Sequence, residues 1–320
     1  MKRKKLLWVL IALLMFAVIG CADQGKNGNN NTGNTNNTDN TDNGGTDSGN
    51  KDNNKIGLSV STLNNPFFVT LTEGAKAAAK DNDIELIVVD AGDDVAKQTS
   101  GIEDLISRNV GVIIVNPVDS DAVAPAVEEA IAKGIKVISV DRVVNGVEVS
   151  SQIASDNVAG ARLAAEYLLE LVGEGAKVAE LEGVPGASAT IDRGKGFHEV
   201  ADTSLDVVTS QTANFNRAEG LNVMENILQA NQDIKGVFAH NDEMALGALE
   251  AISSAGKEIV VIGFDATDDA VAAVKDGRMA ATVAQKPDLM GKTAVETAVK
   301  LLAGETVEAS IPVEVQLIKE

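Results

Sequence analysis

Cysteine, histidine and aromatic residues are scarce in this 320-residue chain. It has one cysteine, two histidines, one tryptophan, one tyrosine and seven phenylalanines. The single cysteine, Cys21, excludes a disulfide within the chain. His198 and His240 do not have the spacing of metal ligands, and no phosphate-binding P-loop occurs. We therefore expect neither a metal nor a cofactor.

The chain is also poor in positive charge. It has 27 Lys and Arg against 47 Asp and Glu, which gives a formal net charge of −20. Residues 2–5 are basic and residues 21–54 carry five Asp and two Lys, so the remaining chain carries −21. Such a charge repels phosphate backbones and anionic lipid, and we expect no nucleic-acid partner.

The N-terminus has the pattern of an export signal. Basic residues 2–5 precede fourteen apolar residues, 6–19, which are too few to span a bilayer comfortably. The stretch ends in VIGC at 18–21, which resembles a bacterial lipoprotein signal. We predict a signal peptide over 1–20 and a lipid on Cys21; an ordinary cleaved signal is the alternative.

Residues 21–54 are mostly Asn, Gly, Thr and Asp and have no hydrophobic periodicity. Such a segment cannot bury enough apolar surface to offset its chain entropy, so it is predicted to be a disordered tether. As a flexible coil it would span roughly 30 Å. We expect an extracytoplasmic protein held at the outer face of the cell membrane only through the lipid on Cys21.

The rest of the chain alternates short apolar runs with helical periods, which predicts parallel sheets covered by helices on both faces. A weak repeat relates GVIIVN at 111–116 to GVFAHN at 236–241, and favours an α/β fold with two doubly wound lobes. The predicted strands are 55–61, 84–90, 111–117, 135–141, 176–183, 205–211, 236–242, 259–265, 279–285 and 311–317.

Polar residues stand at the carboxyl ends of four of these strands, namely Asn116, Asp141, Asn241 and Asp265. Ligands bind at this edge of open parallel sheets. Any one of the four could simply cap the following helix. Because they form two pairs that the repeat matches, we favour a ligand site.

Aromatic side chains cluster at the same edge. Phe67 and Phe68 follow an Asn-Asn-Pro sequence, Phe215 lies in a loop after a strand, and Phe264 ends one. Plugging the core is the ordinary role of such residues. At a polar cleft, however, flat apolar rings complement the C–H faces of a sugar. We therefore predict that Phe67 and Phe68 form a stacking surface.

Charged residues of both signs complete the candidate site. Asp141, Arg142, Arg193 and Asp265 sum to zero charge, which favours a neutral ligand over a phosphate or carboxylate. Carboxylates accept from neighbouring hydroxyls, and guanidinium groups donate in a fixed fork. Amide side chains add both donors and acceptors: Asn65, Asn116, Asn241 and Gln285.

With these residues in place, the chain from about residue 55 onward resembles the pentose- and hexose-binding family of periplasmic proteins. The resemblance is carried by STLNNPFF (61–68), VNPVDSDAV (115–123), VISVDR (137–142), IASDN (153–157), RGKGF (193–197), FAHNDEMALGAL (238–249) and VIGFD (261–265). It implies a type I periplasmic binding protein fold, with two lobes joined by a three-segment hinge. The implied lobes are 55–155 plus 286–314 and 156–285 plus 315–320.

The resemblance also implies a role for each site residue. Phe67 and Phe68 would stack on one face of a pyranose, and Phe215 on the other. Ser61, Asn116 and Phe264 would line the site. The hydrogen-bonding residues would be Asn65, Asp141, Arg142, Arg193, Asn241, Asp265 and Gln285.

The function implied by the resemblance is the binding of a small neutral sugar, most closely D-ribose, by a monomer that delivers it to the permease of an ABC importer. Another pyranose such as allose is an alternative, because one substituent in a tight pocket changes affinity only modestly. A sensor that docks on a chemoreceptor or a sensor kinase would use the same lobe closure.

Two other classes fit the sequence poorly. A glycosidase needs paired carboxylates flanking one bond, but here each Asp comes from a different half, and Arg142 follows Asp141 directly. We expect that arginine to favour the ionised carboxylate, which does not suit a general acid. Repressors with a similar core carry an N-terminal DNA-binding helix-turn-helix, where this chain has an export signal and an acidic tether. We expect no enzymatic activity.

Overall fold

The computed structural model describes residues 54–319. The expected signal peptide, the lipidation site at Cys21 and the tether up to residue 53 lie outside them. The strands of the described part are Lys55–Val60 (β1), Glu85–Asp90 (β2), Val112–Val115 (β3), Lys136–Val140 (β4), Ser151–Ser155 (β5), Lys177–Glu182 (β6), Asp206–Thr212 (β7), Gly236–Ala239 (β8), Val260–Asp265 (β9), Ala281–Ala284 (β10), Ser310–Val313 (β11) and Gln316–Lys319 (β12). Its helices are Pro66–Asp81 (α1), Val95–Ser107 (α2), Ala124–Ala132 (α3), Asn157–Val172 (α4), Ser188–Ser204 (α5), Arg217–Ala230 (α6), Asp242–Ser254 (α7), Asp268–Lys275 (α8) and Pro287–Leu302 (α9).

Two six-stranded sheets organise these elements. One has the order β11-β5-β4-β3-β1-β2 and the other β12-β10-β9-β8-β6-β7. Neighbouring strands run parallel throughout, except that β12 pairs antiparallel with β10. Each sheet is covered on both faces by helices, and buried apolar clusters lie between the layers. We call the first sheet with its helices the N-terminal lobe and the second the C-terminal lobe.

The chain passes between the lobes three times. It crosses after β5, which ends at Ser155, and returns after β10, so that α9 packs against α1 of the N-terminal lobe. The third crossing separates β11 from β12, which belong to different sheets. The carboxyl ends of the strands in both lobes therefore face a common cleft beside three connecting segments.

Two strand predictions were wrong. The sequence predicts no strand at 151–155, because SQIAS has only two apolar residues and lacks the apolar run that marks the other strands. The run 311–317 was predicted as one strand but is divided between β11 and β12, with Glu314 and Val315 between them. Periodicity within seven residues cannot reveal that the chain changes sheets in the middle.

The helices of the described part include none with the length and apolar character needed to cross a bilayer. Nor do the described His, Cys, Asp and Glu residues form a group of three or more arranged to hold a metal ion.

Helices α1 and α9 touch backbone to backbone because each has a glycine at the contact. A Cβ added at Gly291 would lie 1.9 Å from the carbonyl oxygen of Leu71, and one at Gly74 would lie 2.2 Å from that of Asp288. Real Cβ atoms do not approach backbone atoms so closely, so any side chain would force the helices apart. This contact fixes the helix that follows the second crossing onto the N-terminal lobe.

We therefore expect Gly291→Ala to lower the free energy of unfolding by about 1–3 kcal/mol, the usual cost of overpacking. Urea unfolding followed by circular dichroism measures the change. Gly194→Ala is the matched control: its added Cβ would meet its nearest neighbour at 3.6 Å, an ordinary contact. An unchanged unfolding midpoint for Gly291→Ala would contradict the close helix approach.

Candidate functional site

A small cavity lies between the two lobes at the carboxyl ends of their strands. Ten of the thirteen residues expected from the sequence line it, together with Ala189, which was not expected. The ten are Asn65, Phe67, Phe68, Asp141, Arg142, Arg193, Phe215, Asn241, Asp265 and Gln285. That they bind a ligand stays a prediction.

The start of α1 places the first aromatic pair. Asn65 caps this helix: its Oδ1 accepts from the N–H of Phe67 at 3.0 Å, and Pro66 occupies the first turn, where its missing N–H costs nothing. The rings of Phe67 and Phe68 are perpendicular, with centroids 5.1 Å apart. The two rings therefore cannot both lie flat against the same face of a ligand ring.

Asp141 and Arg142 follow β4 in a strained turn. Asp141 has φ +64°, and its Oδ2 accepts from Nδ2 of Asn116 at 3.1 Å. Arg142 donates from Nη1 to the carbonyl oxygen of Pro117 at 2.8 Å, while its buried Nε lies 3.6 Å from Oδ2 of Asp141 and makes no hydrogen bond within residues 54–319. Strain of this kind is found where a surrounding structure holds a functional side chain.

Asn116 and Ser61 lie behind the cavity wall and do not line it. Asn116 is fully buried; its Oδ1 accepts from the backbone N–H of Ser61 at 3.1 Å, and its Nδ2 also donates to the carbonyl oxygen of Val140. It thereby ties the ends of β1 and β4 together. In this structure its role is to orient Asp141.

Arg193 projects from α5 and is held from several sides. Its Nε donates to Oδ1 of Asn157 at 2.9 Å, and its Nη1 donates to the carbonyl oxygen of His240. Its guanidinium carbon lies 3.8 Å from the ring centroid of Phe264, and Nη1 lies 3.7 Å from Oδ1 of Asp265. Phe264 thus supports the arginine from behind and does not line the cavity. Sequence reasoning missed Asn157, although it lies within the IASDN motif.

Asp265 and Gln285 line the cavity from the C-terminal lobe. Nε2 of Gln285 donates to Oδ1 of Asp265 at 2.8 Å, and Oε1 of Gln285 is buried without a partner among the described residues. Asp265 has φ +124°, and the next residue, Ala266, has φ +57°. The two cavity aspartates that the repeat matches therefore both lie on strained backbone.

Phe215 closes the cavity from the C-terminal lobe. Its backbone has φ +56°, rare for a bulky residue, and its carbonyl oxygen accepts from Nδ2 of Asn241 at 3.3 Å. A Cβ at Gly183 would lie 2.0 Å from the Phe215 ring, so only glycine fits beneath it. The guanidinium carbon of Arg142 lies 5.2 Å from the Phe68 ring centroid and 5.4 Å from that of Phe215, between aromatic residues of the two lobes.

Burial dominates the electrostatics of the site. It raises the pKa of Asp141 and of Asp265 above the ordinary value, against the opposing effect of the neighbouring arginines. It likewise lowers the pKa of Arg142 and Arg193, although the carboxylates act in the other direction. Arg142 does lower the pKa of Asp141, as expected, but desolvation has the larger effect and raises that pKa overall. In the ionised state, the four cavity charges sum to zero.

The lobes also contact each other directly beside the cavity. The N–H of Ser120 donates to the carbonyl oxygen of Gly186 at 3.0 Å, and the N–H of Ser188 donates to Oγ of Ser120 at 3.2 Å. Oγ of Ser188 accepts in turn from the N–H of Val143 at 3.0 Å. We call this set of three hydrogen bonds the interlobe latch. It can form only when the lobes are closed.

The fold and the cleft agree with comparison to known proteins. Residues 56–306 match the family of the periplasmic binding protein domain, and the chain belongs to that family. This confirms the family recognised from the sequence motifs. The chain is 54% identical to the ribose import binding protein of Bacillus subtilis, over 85% of this chain and 89% of that protein. It is 49% identical to the ribose import binding protein of Escherichia coli, over 82% and 90%.

Solved structures confirm the fold class, a type I periplasmic binding protein. The Caulobacter myo-inositol binding protein bound to myo-inositol has a TM-score of 0.80 and 35% identity, over 83% of this chain and 93% of that one. A periplasmic solute binding protein of an ABC transporter from Actinobacillus succinogenes, with bound D-allose, has a TM-score of 0.77 and 33% identity, over 83% and 97%.

Proposed function

We propose that this chain is an extracytoplasmic binding protein that takes up D-ribose and delivers it to the permease of an ABC importer. The observation that carries the proposal is that two residues lining the cavity each have a buried polar atom without a hydrogen bond among the described residues, Nε of Arg142 and Oε1 of Gln285. One needs an acceptor and the other a donor. A polyol hydroxyl supplies both, and a buried polar group without a partner is costly.

The shape and charge of the cavity support a neutral sugar. Phe68 and Phe215 approach from opposite lobes and offer apolar surface to the C–H faces of a ring. Asp141 from the N-terminal lobe and Asp265 from the C-terminal lobe offer acceptors for hydroxyl groups. The balanced charges disfavour a phosphorylated sugar. Support for ribose within the sugars comes from the two relatives named ribose import binding protein.

In this function the ligand closes the lobes. Only the closed state lets the residues of both lobes contact one sugar, so the sugar shifts the population towards closure. The permease recognises the surface of the closed form. In the alternative role, a chemoreceptor or a sensor kinase recognises it instead. The chain binds and releases its ligand without chemistry, works as a monomer and is held at the membrane by a lipid on Cys21.

A thermal-shift screen of residues 22–320 tests the proposal against D-ribose, D-allose, myo-inositol, D-glucose and ribose 5-phosphate. A ligand at 1,000 times its dissociation constant adds about 4 kcal/mol of stability, which raises Tm by roughly 10 °C. We expect the largest shift with D-ribose and none with the phosphate ester. A larger shift with D-allose or myo-inositol would replace the ribose assignment. No shift with any sugar would overturn sugar binding.

The interlobe latch gives a separate prediction. Ser188→Ala removes the acceptor for the Val143 N–H, and we expect about three- to tenfold weaker D-ribose binding, in line with the net worth of one hydrogen bond. Because the latch does not line the cavity, other sugars should lose the same factor. Isothermal titration calorimetry measures both. Ser139→Ala, a buried serine in β4 whose Oγ has no partner in the described part, is the control. Unequal losses for two sugars would contradict a role in closure.

A further inference from the structure

Asp242, at the first position of α7, is a fully buried carboxylate that does not line the cavity. Its Oδ1 accepts from the hydroxyl of Thr282 at 2.7 Å, and its Oδ2 accepts from the N–H of Thr267 at 2.8 Å and from the Thr267 hydroxyl at 3.2 Å. One side chain therefore joins three parts of the C-terminal lobe: α7, β10 and the loop between β9 and α8.

That loop carries the cavity carboxylate Asp265 on strained backbone. The N–H of Ala266 donates to Oγ1 of Thr282 at 3.1 Å, so the threonine bridges the strained turn and Asp242. Each of the two residues after Asp265 is thus tied by its backbone N–H to the Asp242–Thr282 pair. Strained φ angles persist only where surrounding contacts fix them.

A glycine in β9, Gly263, lies against the Asp242 carboxylate. A Cβ at Gly263 in β9 would lie 2.4 Å from Oδ1 of Asp242. Only glycine at this position therefore leaves space for the Asp242 carboxylate. In the N-terminal lobe the cavity carboxylate is held differently: Asn116 donates a hydrogen bond directly to the carboxylate of Asp141. In the C-terminal lobe the support acts through the backbone of the loop.

We propose that Asp242 and Thr282 are positioning residues for the ligand: they hold the loop 265–267 so that the carboxylate of Asp265 faces the cavity. The proposal rests on the proposed function, since its effect is read as sugar affinity. Neither residue touches the ligand. Each acts through Asp265. Their contribution to ligand affinity should therefore disappear when Asp265 no longer offers a charged oxygen as acceptor.

The test is a double-mutant cycle for D-ribose affinity by calorimetry, with Thr282→Val and Asp265→Asn. We expect Thr282→Val to weaken binding at least about tenfold in the native background, equivalent to about 1.4 kcal/mol, and less than about threefold in the Asp265→Asn background. Thr282→Ser keeps the hydroxyl and should restore the native affinity. Thr72→Val is the control, because Thr72 is a buried threonine in α1 whose hydroxyl has no partner within the described chain.

Equal losses in the two backgrounds, or a Thr282→Ser variant as weak as Thr282→Val, would overturn the positioning role. If Thr282→Val does not fold by circular dichroism, Thr267→Ala tests the same link from the loop side, with a loss of about threefold expected and no loss contradicting the proposal. Failure of the native chain to bind any sugar would instead contradict the proposed function. The two failures are therefore distinguishable.

Discussion

Replacing Arg193 by lysine is expected to weaken D-ribose binding by about a hundredfold or more. Arg193 uses separate nitrogens to bond Asn157 and the carbonyl of His240, and its guanidinium carbon lies over the Phe264 ring while Nη1 faces Asp265. A lysine ammonium keeps the charge but has neither the planar fork nor the stacking face. It cannot satisfy these partners together and still reach a ligand.

A hundredfold loss corresponds to about 2.7 kcal/mol, within the usual cost of truncating one member of a buried, hydrogen-bonded charge pair. Calorimetric titration with D-ribose measures it, and thermal unfolding without sugar shows whether the variant folds. Arg162→Lys is the matched control, since Arg162 is exposed and faces Glu199 on the outside of the same lobe. A loss of less than about threefold for Arg193→Lys would contradict the central place of this side chain.

Stability should fall as the pH rises from about 4 to about 7, and Asp242→Asn should remove much of that fall. Burial raises the pKa of Asp242 from 3.8 to about 7, against the opposing effects of its hydrogen bonds from Thr282 and Thr267 and of the Arg193 charge. Between these two pH values the native state holds a proton that the unfolded state has lost. The free energy of unfolding therefore decreases with rising pH and levels off above about 7.

The full effect of this one group is up to about 4 kcal/mol, since each pKa unit is worth 1.36 kcal/mol. Asp141 and Asp265 also have raised pKa values and lower the stability in the same direction as the pH rises. The informative quantity is therefore the difference in unfolding free energy between the variant and the native chain. Asparagine can accept from the Thr267 N–H and donate to Thr282, and the fold should survive. Urea unfolding at pH 4 to 8 gives both curves.

From pH 4 to pH 7 the unfolding free energy of the native chain should fall more than that of Asp242→Asn. The stability of the variant relative to the native chain should therefore increase with pH. Asp268→Asn removes an exposed carboxylate at the start of the next helix and gives the baseline for losing one charge. Parallel curves for Asp242→Asn and the native chain would show that Asp242 does not titrate in this range.

Most of the site could be predicted because it is built from strand ends. Parallel strands bring their carboxyl ends to one edge of a sheet, and the repeat paired Asp141 at that edge in one predicted lobe with Asp265 in the other. The aromatic pair after Asn65 was identified by its unusual place beside a proline. What the sequence could not show was orientation: the perpendicular rings of Phe67 and Phe68 depend on packing from α9 and β1 that no local pattern encodes.

The supporting residues were harder to predict than the lining ones. Asp242 follows the helix-capping Asn241, and a carboxylate in the first turn of a helix is ordinarily explained by the helix dipole. Its burial and its bonds to Thr267 and Thr282 arise from segments 25 and 40 residues away. Long-range contacts of this kind leave no periodic trace, and Asn157 behind Arg193 was missed for the same reason.

A crystal structure of the chain with D-ribose would show directly whether this cleft binds the sugar. We expect closed lobes, with the sugar ring in the cavity between Phe68 and Phe215, a ligand oxygen accepting from Nε of Arg142 and a ligand hydroxyl donating to Oε1 of Gln285. Sugar bound elsewhere, or bound in the cavity with those two atoms still unpartnered, would contradict it.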